Sequence, residues 1–218
     1  MNPSSTFSIE TIDVGKRFGA HWVLRDLNLQ VRRGESVALF GNNGSGKSTL
    51  IRMIAALLSP TTGSLQVLGY DVGRQRMEIR KKIRVLGHAK QLYGSLTVLE
   101  NLKFAAGMRG LSVRNDDAFL ISILEKLGID RFRNRPLCEL SEGMKKRTVL
   151  AKLLLGDAEL ILLDEPHPTL DVEGRALLNS LIVEWRKKGT TLLLASHDHA
   201  QVLVHVDRVL TLEKGGFL

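Results

Sequence analysis

The stretch Val37-Ala38-Leu39-Phe40-Gly41-Asn42-Asn43-Gly44-Ser45-Gly46-Lys47-Ser48-Thr49 decides the fold. Its first four residues form an unbroken apolar run, the mark of a short strand buried on both faces, as in a parallel sheet. The next eight fit the pattern GxxxxGK[ST], a turn whose glycines let the backbone wrap an anion. A helix is expected from about Lys47 to Leu58, ending near Pro60. Strand, glycine-rich loop and helix in that order aim loop N–H groups and a helix N-terminus at one point, where a phosphate is held. Lys47 would add a cation for the β- and γ-phosphates, and Ser48 a hydroxyl for Mg²⁺.

Working outward, Leu27, Leu29 and Val31 alternate with Asn28, Gln30 and Arg32, the period of a half-buried antiparallel strand. Leu65 and Val67 suggest another short strand, and Ile83 to Leu86 a further one. Residues 94–156 read as helical. Thr97-Val98-Leu99-Glu100 has capping-box spacing, and Phe119, Ile123, Leu124 and Leu127 recur at helical spacing before Gly128. Leu160–Leu163 and Thr191–Ala195 then read as buried parallel strands, with a helix from about Val172 to Lys188 between them. The expected fold is α/β, a P-loop NTPase core with a mostly parallel sheet, an N-terminal antiparallel β subdomain and a helical insertion. One domain is expected over 1–218, its core drawn from about 6–93 and 157–218 and its helical subdomain from 94–156.

Composition sets the outer bounds. The 218 residues are 44% hydrophobic and 25% charged, ordinary values for a globular protein, which excludes disorder and collagen-like repeats. The formal charge of +8 fits nucleic acid, an anionic membrane face or a phosphate ligand equally well. The single cysteine, Cys138, permits no intrachain disulfide and reads as a small buried residue. No apolar run approaches the roughly 18 residues of a membrane span. Met1 to Thr6 lacks the apolar stretch of a secretory signal, so a cytosolic chain is expected.

The second half of the site is Glu159-Leu160-Ile161-Leu162-Leu163-Asp164-Glu165. A buried apolar strand ending in two carboxylates needs a partner for its charge. Mg²⁺ would supply one at Asp164, while Glu165 would polarise an attacking water near the γ-phosphate.

With Leu140-Ser141-Glu142-Gly143-Met144-Lys145-Lys146-Arg147 added, similar to the signature LSGGQ, the chain resembles the nucleotide-binding subunits of ABC (ATP-binding cassette) transporters. The resemblance spans about 10–213. It implies ATP and Mg²⁺ as ligands, and a nucleotide site comprising Gly41, Asn42, Asn43, Gly44, Ser45, Gly46, Lys47, Ser48 and Thr49. It also implies Phe18 as the aromatic stacking on adenine and His197 as the switch histidine at the γ-phosphate, acting with Lys47 and Glu165 in catalysis. Ser141 and Gly143 would reach, in trans, the ATP of a second copy, so a homodimer is implied, with Asp171 communicating between subunits. A transmembrane permease is the implied further partner, the chain lying at the cytoplasmic face of the cell or inner membrane.

Three positions depart from the family pattern. His88 stands where the family carries a Gln that touches Mg²⁺, and its charge changes near neutral pH. Glu142 and Met144 replace a Gly and the Gln of the signature. His167-Pro168 replaces small residues after Asp164-Glu165-Pro166. Gly87-His88 and the run Leu96-Thr97-Val98-Leu99-Glu100-Asn101-Leu102-Lys103-Phe104 are similar to one branch, the ATP-binding subunit of the cytochrome c maturation (haem exporter) system.

Two other readings compete. A cassette ATPase acting on DNA or ribosomes would use the basic segment Arg74, Arg76, Arg80, Lys81, Lys82, Arg84 and Lys90. That run reads instead as a solvated face, because aromatics are sparse in it, so nucleic acid is not the expected partner. A small P-loop kinase would leave the signature helix and His197 without a role.

Overall fold

The computed structural model describes residues 6–87, 92–111, 117–166, 170–197, 203 and 206–218. The chain divides into two compact units. One takes the described residues of 1–87, 158–166 and 182–218, and the other those of 88–157 and 167–181.

The first unit holds both sheets. Strands β1 (Phe7–Phe18) and β2 (His21–Arg32) form an antiparallel hairpin. Leu27, Leu29 and Val31 of β2 are buried while Asn28, Gln30 and Arg32 are exposed, as the alternation requires. The next strand, β3 (Ser36–Phe40), is buried at all five positions. Helix α1 (Lys47–Ile54) follows, then β4 (Thr62–Val67) and β5 (Tyr70–Asp71), which complete a four-stranded sheet in the order β2-β1-β4-β5.

Helix α2 (Arg76–Lys82) leads into β6 (Ile83–Leu86), and β7 (Leu160–Asp164), β8 (Thr191–Ser196), β9 (Arg208–Glu213) and β10 (Gly216–Phe217) complete the second sheet. Its order is β10-β9-β3-β8-β7-β6. Every neighbouring pair in it is parallel except β9 with β10. The apolar core of this unit draws on both sheets and α1, with Leu27, Leu39, Leu50, Met53, Leu65 and Leu162 all at or below 1% exposure.

Helix α1 ends earlier than its sequence suggests. The chain leaves the helix after Ile54, and Ala56 takes a left-handed backbone at φ +55. Ala56 N–H then donates to Met53 O, and Leu57 N–H to Arg52 O, the paired bonds of a Schellman ending formed here without glycine.

The second unit is helical. It contains α3 (Val98–Gly107), α4 (Asp117–Lys126) and α5 (Glu142–Leu153), with short 3₁₀ turns at Asp130–Phe132 and Leu137–Glu139. Thr97 and Glu100 form both bonds of the expected capping box. Along α4 and just beyond it the expected apolar face holds at Ile123, Leu124 and Leu127, but its first position is Leu120 rather than Phe119. Leu120, Ile123 and Leu124 are buried, whereas Phe119 is exposed. Cys138, expected to be buried, is exposed. Helix α6 (Val172–Lys187) begins in this unit, so its first half clusters with the helical elements rather than with the core to which the sequence reading assigned it.

Candidate active site

Parallel register gathers the site at one end of the six-stranded sheet. Phe40, the last residue of β3, lies beside Ser196, the last of β8, and Asp164, the last of β7, lies beside Ala195. The residues that follow those strand ends are Gly41, His197 and Glu165. Open parallel sheets bind ligands outside the carboxyl ends of their strands, and the chemistry-bearing residues of this unit collect there.

The loop is shaped around its glycines. A Cβ on Gly41 would sit 2.4 Å from Leu212 O, and one on Gly46 would sit 2.4 Å from Leu24 Cδ2, with Gly46 already at φ +108. Asn42, Asn43 and Gly44 are exposed, while Ser45 and Lys47 are buried. Ser48 and Thr49 continue from Lys47 into the first turn of α1.

Lys47, only 6% exposed, donates to Gly41 O at 2.6 Å and Asn42 O at 3.2 Å. Its Nζ also lies 3.8 Å from Glu165 Oε1. A buried ammonium held by carbonyl oxygens and a carboxylate is well suited to exchange those partners for phosphate oxygens. Among the described residues, Glu165 Oε1 and Ser45 Oγ are buried without a hydrogen-bond partner. Such groups carry a desolvation cost until a ligand or water satisfies them.

Ser48 Oγ donates to Asp164 Oδ1 at 3.1 Å. Both are hard oxygen donors, and their separation is about that of neighbouring oxygens around Mg²⁺, whose Mg–O bonds are near 2.1 Å. The donor set therefore fits that ion. Among the described residues no group of three or more His, Cys, Asp or Glu side chains gathers into a further metal cluster.

His197 Nδ1 lies 2.9 Å from Glu165 Oε2. That bond joins two residues 32 apart in sequence, and the neighbouring ends of β7 and β8 bring them together. Sequence reasoning named each residue separately and missed their mutual contact, as it missed the unpaired hydroxyl of Ser45. The contact depends on strand register, which no local pattern encodes.

Phe18 sits at the end of the β1–β2 hairpin, paired with His21, and is 50% exposed. The hairpin reaches the phosphate loop through Leu24, against which Gly46 packs.

In the helical unit, Ser141 caps α5, its Oγ accepting from Met144 N–H at 3.3 Å. Lys145 donates to Glu142 at 2.8 Å and holds the exposed Glu142 carboxyl below its ordinary range. Asp171 accepts from Gly174 N–H at 2.8 Å, and a Cβ on Gly143 would lie 2.9 Å from Asp171 Oδ2. The expected signature glycine and the expected communicating aspartate are thus in direct contact. His88, His167 and Pro168 lie outside the described residues.

The basic segment is largely occupied internally. Arg76 donates to Val72 O and Ser59 Oγ, Arg80 to Ala56 O, Lys81 to Glu78 and Lys82 to Glu159. Arg84 is 2% exposed and donates to Lys81 O and Ile83 O. A phosphate-contacting face needs free cations, and most of these side chains are committed to the fold.

Among the described residues no helix is long and apolar enough to cross a membrane. Residues 24–168 match the family described as ABC transporter. The ABC transporter ATP-binding protein NatA of Bacillus subtilis is 33% identical over 193 residues, covering 88% of this chain and 78% of that protein. The Nod factor export ATP-binding protein I of Rhizobium etli is 35% identical over 208 residues, covering 95% of this chain and 66% of the relative. Among solved structures, an ATP-binding subunit of an ABC transporter superposes with a TM-score of 0.87 at 31% identity, covering 96% of this chain and 87% of that one. A dimeric ATP-binding cassette in a post-hydrolysis state, bound to ADP and Pi, superposes with a TM-score of 0.86 at 25% identity, covering 96% of each chain. The fold, the strand-end constellation and these likenesses lead to one conclusion: this chain belongs to the ABC transporter family, as an ATP-binding and ATP-hydrolysing domain of it.

Proposed function

We propose that the chain is the engine subunit of a membrane transporter, closing head-to-tail with a second copy around ATP and driving a transmembrane permease as hydrolysis reopens the pair. The observation that carries this reading is the convergence of Lys47, Ser48, Asp164, Glu165 and His197 at the carboxyl end of the six-stranded sheet. In it, Gly41–Thr49 wrap the phosphates, and Lys47 leaves its carbonyl partners for the β- and γ-phosphate oxygens. Phe18 stacks on adenine. Ser48 and Asp164 are the residues that would hold Mg²⁺, Asp164 through a water. When bound, that ion neutralises charge building on the phosphate oxygens.

Glu165 Oε1, buried and lacking a hydrogen-bond partner, accepts a hydrogen bond from the attacking water. The water oxygen bonds to the γ-phosphorus as the bond to the β-phosphate bridging oxygen breaks. ADP leaves with that electron pair, and the water proton passes to the carboxylate. His197, held by Glu165 Oε2, contacts the γ-phosphate with its other ring nitrogen. Ser141 and Gly143 of one copy meet the ATP held by the other, and Asp171 carries the state of one site to its neighbour. His88 takes the place of the family glutamine at the ion.

The test is Glu165→Gln. Hydrolysis falls by at least about 100-fold, the scale of a lost general base. ATP affinity persists, and size-exclusion chromatography in Mg-ATP shows a trapped dimer. A strictly monomeric variant at saturating Mg-ATP would count against the two-copy arrangement.

For the cargo, the branch cues at Gly87-His88 and 96–104 favour a haem-handling permease of the cytochrome c maturation type. Co-purification from gently solubilised membranes tests it: polytopic haem-handling proteins support that branch, and another permease replaces it.

A further inference from the structure

Lys16 and Phe18 precede the residues matched to the family, and the structure joins them. They lie two apart on β1, on either side of a register irregularity between Lys16 and Arg17, and the side chains meet there. Lys16 Nζ stands over the Phe18 ring, 5.2 Å from its centroid, and donates to Ser59 O at 2.8 Å. Ser59 is itself held by Arg76, which donates to its hydroxyl. The ammonium is therefore anchored at a fixed place rather than waving from the surface.

We infer that Lys16 is a positioning residue for nucleotide binding, fixing Phe18 as a base-stacking platform by covering one face of its ring and leaving the opposite face to the purine. The inference rests on the proposal that Phe18 stacks on adenine. A Phe ring that is 50% exposed has little packing to hold its orientation, and ordering it on binding would reduce affinity. A cation on the negative ring face supplies that orientation beforehand. It also draws ring electron density toward itself, which eases stacking of an electron-rich base on the other side. Leu24, the β2 partner of Lys16, is the residue against which Gly46 of the phosphate loop packs. Lys16 and the phosphate loop thus meet at one residue, Leu24, so orienting the ring acts beside a nucleotide held by its phosphates.

The test compares Mg-ATP with Mg-tripolyphosphate, which keeps the phosphates and lacks the base. The variants are Lys16→Met, Lys16→Arg, Phe18→Ala and the double variant Lys16→Met with Phe18→Ala, titrated calorimetrically as the full chain. Lys16→Met is expected to weaken ATP by about three- to tenfold, the scale of one cation–π contact, with tripolyphosphate changed less than about twofold. Lys16→Arg restores ATP affinity. In the Phe18→Ala background the Lys16 substitution has no further effect, whereas in the parent chain it raises the KM for ATP with kcat unchanged.

Retained tripolyphosphate binding certifies that each variant is folded. Equal losses for ATP and tripolyphosphate would make Lys16 a phosphate-attracting charge and overturn the inference. Loss on Phe18→Ala with none on Lys16→Met would overturn it too, leaving the stack intact. If Phe18→Ala itself leaves ATP affinity unchanged, the stacking proposal fails, and the inference with it.

Discussion

Glu165 holds a left-handed backbone at φ +48, a conformation that costs a residue with a Cβ about 1–2 kcal/mol. The turn lets its N–H donate to Ala195 O at 2.9 Å while its carboxylate meets both Lys47 and His197. Strain of this kind persists where surrounding contacts hold it, and it collects at functional sites. A second costly residue lies in the helical unit. Burial, reinforced by the charge of Arg109, lowers the Lys152 ammonium from an ordinary 10.5 to about 8. Between about pH 8 and 10.5 the unfolded chain therefore binds more protons than the folded one, and stability rises with pH across that window. Below about pH 8 the full penalty of the buried charge is present. Lys152→Met removes it, so the variant should gain about 1–2 kcal/mol near pH 7, discounted for the solvent the amine retains. The gain should shrink through the window and vanish by about pH 10.5. Paired thermal denaturation of variant and parent across that range checks it, and a pH-independent difference would show that packing rather than charge is responsible.

At the scale of elements, Asp171 serves α6 before it serves any partner. Its Oδ1 accepts from Gly174 N–H, and its backbone carbonyl accepts from Arg175 N–H, the bonds of a capping residue. Asp171→Ala should destabilise the chain by about 1 kcal/mol, and Asp171→Asn by only a few tenths, because an amide oxygen still accepts. If the carboxylate also works between subunits, Asp171→Asn lowers ATPase activity while the denaturation midpoint stays put. Elements set by local chemistry could be read from the sequence alone. The run Val37–Phe40, the Thr97/Glu100 box and Gly128, now at φ +65, each state their conformation in a few residues. The end of α1 could not, because Ala55-Ala56-Leu57-Leu58 continues an apolar helical pattern and the turning residue is alanine, not glycine. The facing of Phe119 was equally hidden, since Leu120 one residue on supplies the same hydrophobicity to the core. In the site, residue types and spacings were readable, but couplings were not. His197 meets Glu165 through the register of β7 and β8, and Gly143 meets Asp171 across 28 positions of chain.

For the whole molecule, the question is whether one chain suffices for hydrolysis. The phosphate loop belongs to one compact unit and Ser141 with Gly143 to the other, so each chain carries both halves of the proposed machinery. If two chains exchange halves, a chain lacking its phosphate lysine can still lend a signature helix, and a chain with a blocked signature can still bind ATP. Lys47→Ala and Ser141→Arg variants should each be nearly inactive alone. Mixed in equal amounts and allowed to pair at random, about half of the dimers contain one of each. In those, one of two sites is intact: the Ser141→Arg chain supplies Lys47, and the Lys47→Ala chain supplies Ser141. Independent sites then give about a quarter of the parent rate. A recovery well below that would mean the two sites must fire together, with Asp171 the first residue to examine for the coupling. A Ser141→Arg chain that hydrolyses ATP normally by itself would place the complete site within a single copy, and the head-to-tail arrangement would have to be abandoned.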